Sequence, residues 1–192
     1  MKSRIEDRDT KVVMAFSGGG LKVFAHATTV KFINALGVYP HLDEIWGTSG
    51  GAIAGIWYSC NLSPAEVQDY GFALYNHLFS LKLSPSKLDV LKNLFMNYCL
   101  PEKFRPSGFR GFINCTKSLT GFIDNMRKGA PLEKPFYCIA FNIKNLKTEV
   151  LTSEPVNESL YGGKIYQVDP IEAAVASSSA PVLFAPKTIR RN

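Results

Sequence analysis

Two short apolar segments, each running into a glycine-rich turn, limit most strongly what this chain can fold into. Residues 11–16 lead into Ser-Gly-Gly-Gly at 17–20, and residues 42–46 lead into Gly-Thr-Ser-Gly-Gly at 47–51. A short apolar run that ends in glycines is typical of a buried strand followed by a tight loop. Each loop is followed by a segment with the apolar spacing of a helix. This order, strand, loop and helix twice over, predicts a right-handed βαβ unit on a parallel sheet.

The two predicted helices cover residues 21–36 and 52–60, and Gly37 stands where a glycine commonly ends a helix. Two later helices begin with capping boxes at residues 63–66 and 169–172, each with proline at the first helical position. We therefore predict an α/β fold with a mostly parallel central sheet and helices on both faces. Both glycine turns then lie at the carboxyl ends of strands, where open α/β sheets place their sites.

The remaining segments are assigned from their composition. Residues 1–10 form a polar leader, and residues 136–151 are predicted to hold two strands joined by a turn near Asn145. Residues 100–135 are rich in Pro, Gly and Phe, which predicts a loop that caps the site. A helical stripe of apolar residues precedes it, formed by Leu88, Leu91, Phe95 and Tyr98.

The net charge of +6 is concentrated in residues 80–134. This segment holds ten Lys or Arg and four acids, 10 − 4 = +6, and the rest of the chain holds 12 of each. Such a local excess indicates a face for an anionic partner. Peripheral contact with an anionic membrane and an ordinary solvated surface explain it equally well. No nucleic-acid partner is expected, because the cations follow no recognisable motif.

Neither a Sec-type signal peptide nor a transmembrane segment is expected from the sequence. No apolar run approaches the roughly 18 residues that span a bilayer, and the charged N-terminus lacks the apolar core of a Sec-type signal peptide. We expect a cytoplasmic or peripheral membrane protein, with export by another route left open. The four cysteines, Cys60, Cys99, Cys115 and Cys138, lie far apart without metal-binding spacing, which predicts free buried thiols and no metal or cofactor.

Ser49 is the candidate nucleophile. A G-x-S-x-G pattern alone is weak evidence, since 15 glycines produce such a spacing by chance in about one chain in ten. Here the pattern follows a predicted strand and precedes a predicted helix, as a nucleophile elbow requires. Gly47, Gly50 and Gly51 lack the Cβ atoms that would hold strand and helix apart. Ser49 Oγ would stand above a helix N-terminus, which favours a developing anion.

Gly18, Gly19 and Gly20 are the candidate oxyanion hole. Acyl transfer needs N–H donors aimed at the oxyanion, and successive glycine N–H groups form such a nest. The alternative is a plain strand-to-helix turn or a phosphate loop. A Walker A pattern is absent, and G-x-G-x-x-G is not met because Val23 occupies its last glycine position.

The histidines offer no good base for Ser49. The order Ser, acid, His of the usual α/β hydrolase leaves only Asp69 and His77, both in a predicted helix soon after the elbow. His26 lies inside the first predicted helix, where a hydrogen-bonded core residue is expected.

These patterns together resemble the patatin-like phospholipase family. Its signature is a G-G-G-x-[RK]-G loop, a G-x-S-x-G elbow after the next strand, and an Asp in a D-G-[GA] motif far downstream. Residues 18–23 match the loop except at Val23, and residues 47–51 match the elbow. Residues 172–186 resemble the A-S-S-A-x-P-x-x-F stretch that precedes the family's Asp. The resemblance runs from about residue 11 to the end of the chain.

The resemblance implies a patatin-like acyl hydrolase domain over residues 11–192. Ser49 is then the nucleophile, Gly19, Gly20 and Gly50 donate N–H groups to the oxyanion, and Lys22 occupies the family's basic position. The family's general base is the Asp of a Ser–Asp dyad, but no D-G dipeptide occurs in this sequence. We therefore expect a chain truncated before that Asp, incomplete at its C-terminus and inactive by itself.

Two functions are open at this stage. The first is hydrolysis of fatty-acyl esters of phospholipids or lysophospholipids through a serine acyl-enzyme. The second is a non-catalytic lipid- or protein-binding module that lacks the catalytic Asp.

Overall fold

A mixed five-stranded sheet runs through the protein. The computed structural model describes residues 11–80, 116–155, 164–180, 184 and 187–189. The strands lie in the order β1 (Val13–Phe16), β2 (Glu44–Thr48), β3 (Phe136–Asn142), β4 (Lys147–Thr152) and β5 (Ile165–Gln167). The pairs β1–β2, β2–β3 and β4–β5 are parallel, and β3–β4 is antiparallel. The predicted mostly parallel sheet and the strand pair around Asn145 are both confirmed.

Helices pack around this sheet. Within the described ranges they are α1 (His26–Ala35), α2 (Gly50–Ser59), α3 (Pro64–Ser80), α4 (Thr116–Arg127) and α5 (Pro170–Ser178), with short 3₁₀ helices at Gly20–Ala25 and Tyr39–His41. None of these helices is long and apolar enough to cross a bilayer.

The first predicted helix is correct at its end and wrong at its start. Residues 20–25 are 3₁₀ rather than α-helical, because the chain leaves Gly20 at a φ of +53° and no side chain caps α1 at Ala25. The predicted stop at Gly37 is confirmed. Gly37 has a φ of +64°, its N–H donates to Asn34 O at 2.9 Å, and the next N–H donates to Ile33 O at 3.2 Å. These two bonds form a Schellman motif.

The loop prediction for residues 100–135 is wrong where α4 forms. Leu119 and Ile123 are buried and Phe122 and Met126 are partly buried, a helical spacing that the surrounding glycines and prolines obscured. The leader, residues 1–10, and the stripe from Leu88 to Tyr98 lie outside the described residues.

Both predicted helix starts carry a side-chain cap, but only the first completes the predicted capping box. Ser63 N–H donates to Glu66 Oε2 at 2.9 Å, and Glu66 N lies 3.3 Å from Ser63 Oγ, which is the reciprocal pattern of a capping box. Asp169 accepts two N–H groups of the first turn of α5, both at 3.0 Å. Glu172 does not reach back to complete the second box and pairs instead with Lys187 at 2.7 Å.

Helix α2 fixes the position of the elbow. Every residue of α2 is buried, and a Cβ added at Gly55 would lie 3.1 Å from Phe136 Cε2 and 3.5 Å from Ile45 Cγ2. The missing side chain therefore lets α2 lie close to β2 and β3. Because α2 begins at Gly50, soon after β2 ends, its N-terminus lies at the carboxyl edge of the three parallel strands.

The described cysteines are buried free thiols, as predicted. Burial raises the pKa of Cys60 to about 11 and also raises that of Cys138, so both stay protonated near neutral pH. Cys99 and Cys115 lie outside the described residues.

Candidate active site

Ser49 occupies the turn between β2 and α2. Its backbone has a φ of +55° and a ψ of −126°, a combination that a residue with a Cβ adopts only at an energetic cost. Its carbonyl oxygen accepts the N–H of Ala52 at 2.8 Å, so Ser49 caps α2. The first N–H groups of a helix lack partners within the helix and carry the positive end of its dipole. The half-buried Ser49 therefore stands at a place that suits an anion.

Three glycines make the tight turn sterically possible. A Cβ built at Gly47 would lie 2.5 Å from the backbone of α2, and one built at Gly50 would lie 2.5 Å from Gly20 O. At Gly51 it would overlap the carbonyl oxygens at the end of β1. Real Cβ atoms do not approach backbone so closely, so any larger residue must push strand, helix or loop apart.

The glycine loop after β1 lies directly against the elbow. A Cβ built at Gly18 would contact Ser49 Cβ at 3.6 Å, and Gly20 turns at positive φ with its carbonyl oxygen over Gly50. Gly19 lies between them and is exposed. The structure thus brings together the elbow and the loop proposed as the oxyanion hole, and the role of these glycines as N–H donors stays a prediction.

Two consecutive serines of α5 hold the backbone of Ser49. The N–H of Ser49 donates to Ser177 Oγ at 2.9 Å, and Ser177 Oγ donates in turn to Ile139 O at 2.6 Å. Ser178 Oγ lies 2.9 Å from Ser49 O and 2.8 Å from Ala174 O, so its hydroxyl is shared between them. Both backbone polar groups of the strained residue are therefore satisfied. Sequence patterns do not reveal this role, although three serines in a row at the end of an apolar helix are a signal.

A family model described as patatin-like phospholipase matches residues 14–192. The matched range contains the glycine loop, the elbow and the paired serines. The chain belongs to the patatin-like phospholipase family.

Solved structures of ExoU share the patatin-like fold. The type III effector protein ExoU gives a TM-score of 0.50 at 14% identity, covering 90% of this chain and 40% of that chain. ExoU in complex with SpcU from Pseudomonas aeruginosa gives 0.51 at 14% identity, covering 90% and 39%. VipD from Legionella pneumophila gives 0.46 at 13% identity, covering 91% and 43%. The chain spans about 40% of the length of ExoU, and no curated protein matches it significantly in sequence.

The patatin-like loop departs from the family pattern at Val23. Val23 lies in the 3₁₀ helix Gly20–Ala25, is fully buried and belongs to the hydrophobic core. The side chain that replaces the family's glycine is therefore used for packing. The side chain of Lys22, at the family's basic position, lies outside what the structure describes.

No aspartate of the described ranges is hydrogen-bonded to Ser49. Asp43 accepts a backbone N–H where β1 and β2 begin, Asp124 pairs with an arginine of its own helix, Asp169 caps α5, and Asp69 is exposed on α3. Within the same ranges, no three His, Cys, Asp or Glu side chains come together as metal ligands.

His77 contacts residues of α4 rather than the elbow. Its Nε2 lies 2.6 Å from Ser118 Oγ, and its ring stacks on Phe122 with a centroid distance of 5.2 Å. The imidazole therefore joins α3 to α4, and the structure adds nothing in favour of an Asp69–His77 pair acting on Ser49.

His26 hydrogen-bonds to the backbone at the start of the glycine loop. Its Nε2 lies 3.1 Å from Ser17 O, to which the N–H of that nitrogen donates, and its ring packs edge-on against Phe16 at 5.3 Å. The predicted hydrogen bond is confirmed, but His26 is half-buried rather than a core residue. Burial lowers the pKa of His26 below its usual value of 6.5, and the bond to Ser17 opposes that effect only in part.

The lowered pKa of His26 predicts that this residue makes the folded protein less stable at acid pH. Because the folded protein prefers neutral His26, this preference stabilises it fully above pH 6.5. The contribution is lost as pH falls from 6.5 through the folded-state pKa, where the unfolded chain binds the proton more readily. We expect His26→Gln, which keeps an N–H donor for Ser17 O, to lose less stability than wild type between neutral pH and pH 5. Urea unfolding at several pH values measures this, and an NMR titration that places the His26 pKa above 6.5 would contradict it.

Proposed function

We propose that this chain carries the nucleophile and the oxyanion hole of a serine lipid acyl hydrolase, acting on fatty-acyl esters of phospholipids or lysophospholipids. The observation that carries the proposal is the strained backbone of Ser49 between β2 and α2, with the glycine loop packed against it. Membership of the patatin-like phospholipase family supports a lipid ester as the substrate class.

The reaction begins when Ser49 Oγ attacks the ester carbonyl carbon while a general base removes its proton. The N–H groups of Gly19, Gly20 and Gly50 donate to the oxyanion of the tetrahedral intermediate. Collapse of the intermediate breaks the ester C–O bond, and the proton passes to the leaving alcohol. Water then hydrolyses the acyl-enzyme, which releases the fatty acid and restores Ser49.

The general base of the proposed reaction is an aspartate, as the Ser–Asp dyad of the family implies. No aspartate or histidine among the described residues is hydrogen-bonded to Ser49 Oγ. The acid must therefore come within hydrogen-bond distance of Ser49 from elsewhere in the protein. It would approach the carboxyl edge of β2, where the nucleophile is only half-buried.

The second candidate is a non-catalytic lipid- or protein-binding patatin-like module. The lack of a bonded acid at Ser49 in the described ranges favours it. Such a module would keep the glycine loop and the elbow as a binding surface and leave the ester intact.

Labelling with a fluorophosphonate probe distinguishes the two. We expect the complete gene product to carry one label, on Ser49, because the probe reacts with an activated serine beside an oxyanion hole. Without such an acid Ser49 should label weakly or not at all, since no aspartate or histidine among the described residues is bonded to it. Folded complete protein that binds phospholipid but stays unlabelled would support the binding module. A label mapped to another serine would overturn the nucleophile assignment.

A further inference from the structure

The hairpin formed by β3 and β4 projects past the nucleophile. β2 ends where Thr48 pairs with Ile139, but β3 continues for three more residues, to Asn142, and pairs there with β4 alone. At about 3.3 Å per residue, the strand extends about 10 Å beyond the level of Thr48. Because β2 and β3 are parallel, the hairpin tip and Ser49 lie at the same edge of the sheet.

The projecting hairpin exposes large apolar side chains. Leu146 is 73% exposed, Phe141 is 49% exposed and Ile139 is 37% exposed. Leu146 also has a φ of +55°, in the left-handed region that glycine or asparagine occupies at little cost and leucine does not. An exposed leucine in a strained conformation adds nothing to the stability of the fold, which points to a function at the tip.

The hairpin turn is held in one shape by a buried carboxylate. Glu149 is buried, and its Oε1 accepts from the side-chain amides of Asn142 and Asn145, each at 3.0 Å. The Oδ1 atoms of the two asparagines accept the N–H groups of Lys144 at 2.9 Å and Lys147 at 3.1 Å. The tip is therefore fixed before it meets a partner, which lowers the entropic cost of binding.

The charged residues of the hairpin indicate which kind of partner it can bind. Lys144 is exposed in the turn and Lys147 at the start of β4. Lys164, exposed just before β5, lies beside β4 near the same edge. Glu149 is the one acid of β3, the turn and β4, and it is buried. Exposed apolar side chains flanked by lysines match an anionic phospholipid surface, which takes up the apolar groups and attracts the cations.

Two described cations of residues 80–134, Lys128 and Lys134, are less well placed for this contact. Glu133 N–H and Lys134 N–H both donate to the last residue of α2, so this segment lies at the edge opposite Ser49. There Lys134 Nζ lies 5.5 Å from the centre of the Tyr39 ring, and Lys128 Nζ lies 5.9 Å from that of Tyr70. A bilayer bound at this edge would face away from the nucleophile. Membrane contact through residues 80–134 stays untested.

We propose that the β3–β4 hairpin binds the surface of an anionic phospholipid bilayer and thereby seats the Ser49 edge of the sheet on its substrate. The inference rests on the proposed function for its purpose, since it supplies the step by which a lipid hydrolase reaches aggregated substrate. The binding itself requires neither Ser49 nor its general base.

The test compares vesicle binding of wild-type protein with two hairpin variants. Leu146→Gly removes the apolar side chain and relieves the strained backbone, so it does not threaten folding. Lys144→Glu/Lys147→Glu reverses the charge of the tip. We expect each to weaken co-sedimentation with phosphatidylcholine–phosphatidylserine vesicles by about 10-fold or more. Wild-type binding should fall at high salt and be weak on pure phosphatidylcholine vesicles.

A matched control comes from α1, where Lys31 is exposed and Phe32 is 63% exposed. Lys31→Glu/Phe32→Ser removes the same kinds of group elsewhere and should leave vesicle binding unchanged. Equal binding by wild type and the hairpin variants, equal loss in the control, or no binding of wild type to the anionic vesicles would each overturn the proposal. Fluorophosphonate labelling of the complete gene product without vesicles keeps the two ideas apart. If the protein is not labelled but its vesicle binding depends on the hairpin, only the hydrolase proposal is refuted. If the protein is labelled normally but its vesicle binding does not depend on the hairpin, only the hairpin proposal is refuted.

Discussion

Replacing Ser49 with alanine is expected to abolish fluorophosphonate labelling and to lower kcat/KM for a soluble ester by at least about ten-thousand-fold. Alanine removes the atom that forms the acyl-enzyme. It keeps the N–H and C=O groups that bond to Ser177 and Ser178, so the turn retains its partners. The measurement is hydrolysis of a short-chain ester by the complete gene product. Urea unfolding should agree with wild type to within about 0.5 kcal/mol.

Two further variants test whether the loss of hydrolysis is specific to the Ser49 hydroxyl. Ser179→Ala removes a hydroxyl that donates to Val175 O at 2.8 Å just after the end of α5, and it should leave hydrolysis unchanged. Ser49→Gly should be inactive yet more stable than wild type by up to about 1 kcal/mol, because glycine adopts the positive φ without strain. Substantial hydrolysis by either Ser49 variant would mean that another group is the nucleophile.

Replacing Gly51 with alanine is expected to destabilise the protein by about 3 kcal/mol or to prevent folding. The added Cβ would overlap the carbonyl oxygens of Phe16 and Ser17. Both are backbone atoms of β1 and the loop after it, so no side-chain rotation relieves the overlap. The relaxation that remains is to move α2 away from β1, which also displaces the glycine loop from Ser49. Urea unfolding gives the change in stability, and labelling should fall in any variant that still folds.

Gly121→Ala is the matched control. Gly121 lies inside α4, where an added Cβ would meet no atom within 4 Å. Alanine is favoured over glycine in a helix by up to about 1 kcal/mol, so this variant should be more stable than wild type. If Gly51→Ala unfolds at the same urea concentration as wild type, the close approach at the elbow does not constrain the fold.

The features that the sequence predicts correctly are those whose residues lie close together along the chain. Two apolar runs ending in glycines placed β1, β2 and the two loops, because a buried strand and a glycine turn each leave a short-range signal. The same holds for the caps at Ser63 and Asp169, where the residues that bond are three or fewer positions apart. The Schellman stop at Gly37 has an equally local cause.

The features that sequence patterns did not reveal depend on contacts across the chain. Gly121 and the flanking prolines predict a loop where α4 forms, and the helix is stabilised instead by apolar side chains that pack against the core. The role of Ser177 and Ser178 follows only from where α5 docks, beside β3 and the elbow. The strain at Leu146 is likewise visible only in the backbone, since an asparagine one position earlier gave the turn signal by itself.

The contacts that Ser177 and Ser178 make with Ser49 also affect when the site is completed during synthesis and folding. They join residues 128 and 129 positions apart, so β2, the elbow and α2 are synthesised long before their partners in α5. Contacts between such distant positions form late, because a large loop must close before they gain anything. A nascent chain would thus expose Ser49 with its backbone unsupported. We therefore expect the proposed hydrolase to stay inert on the ribosome until α5 has docked.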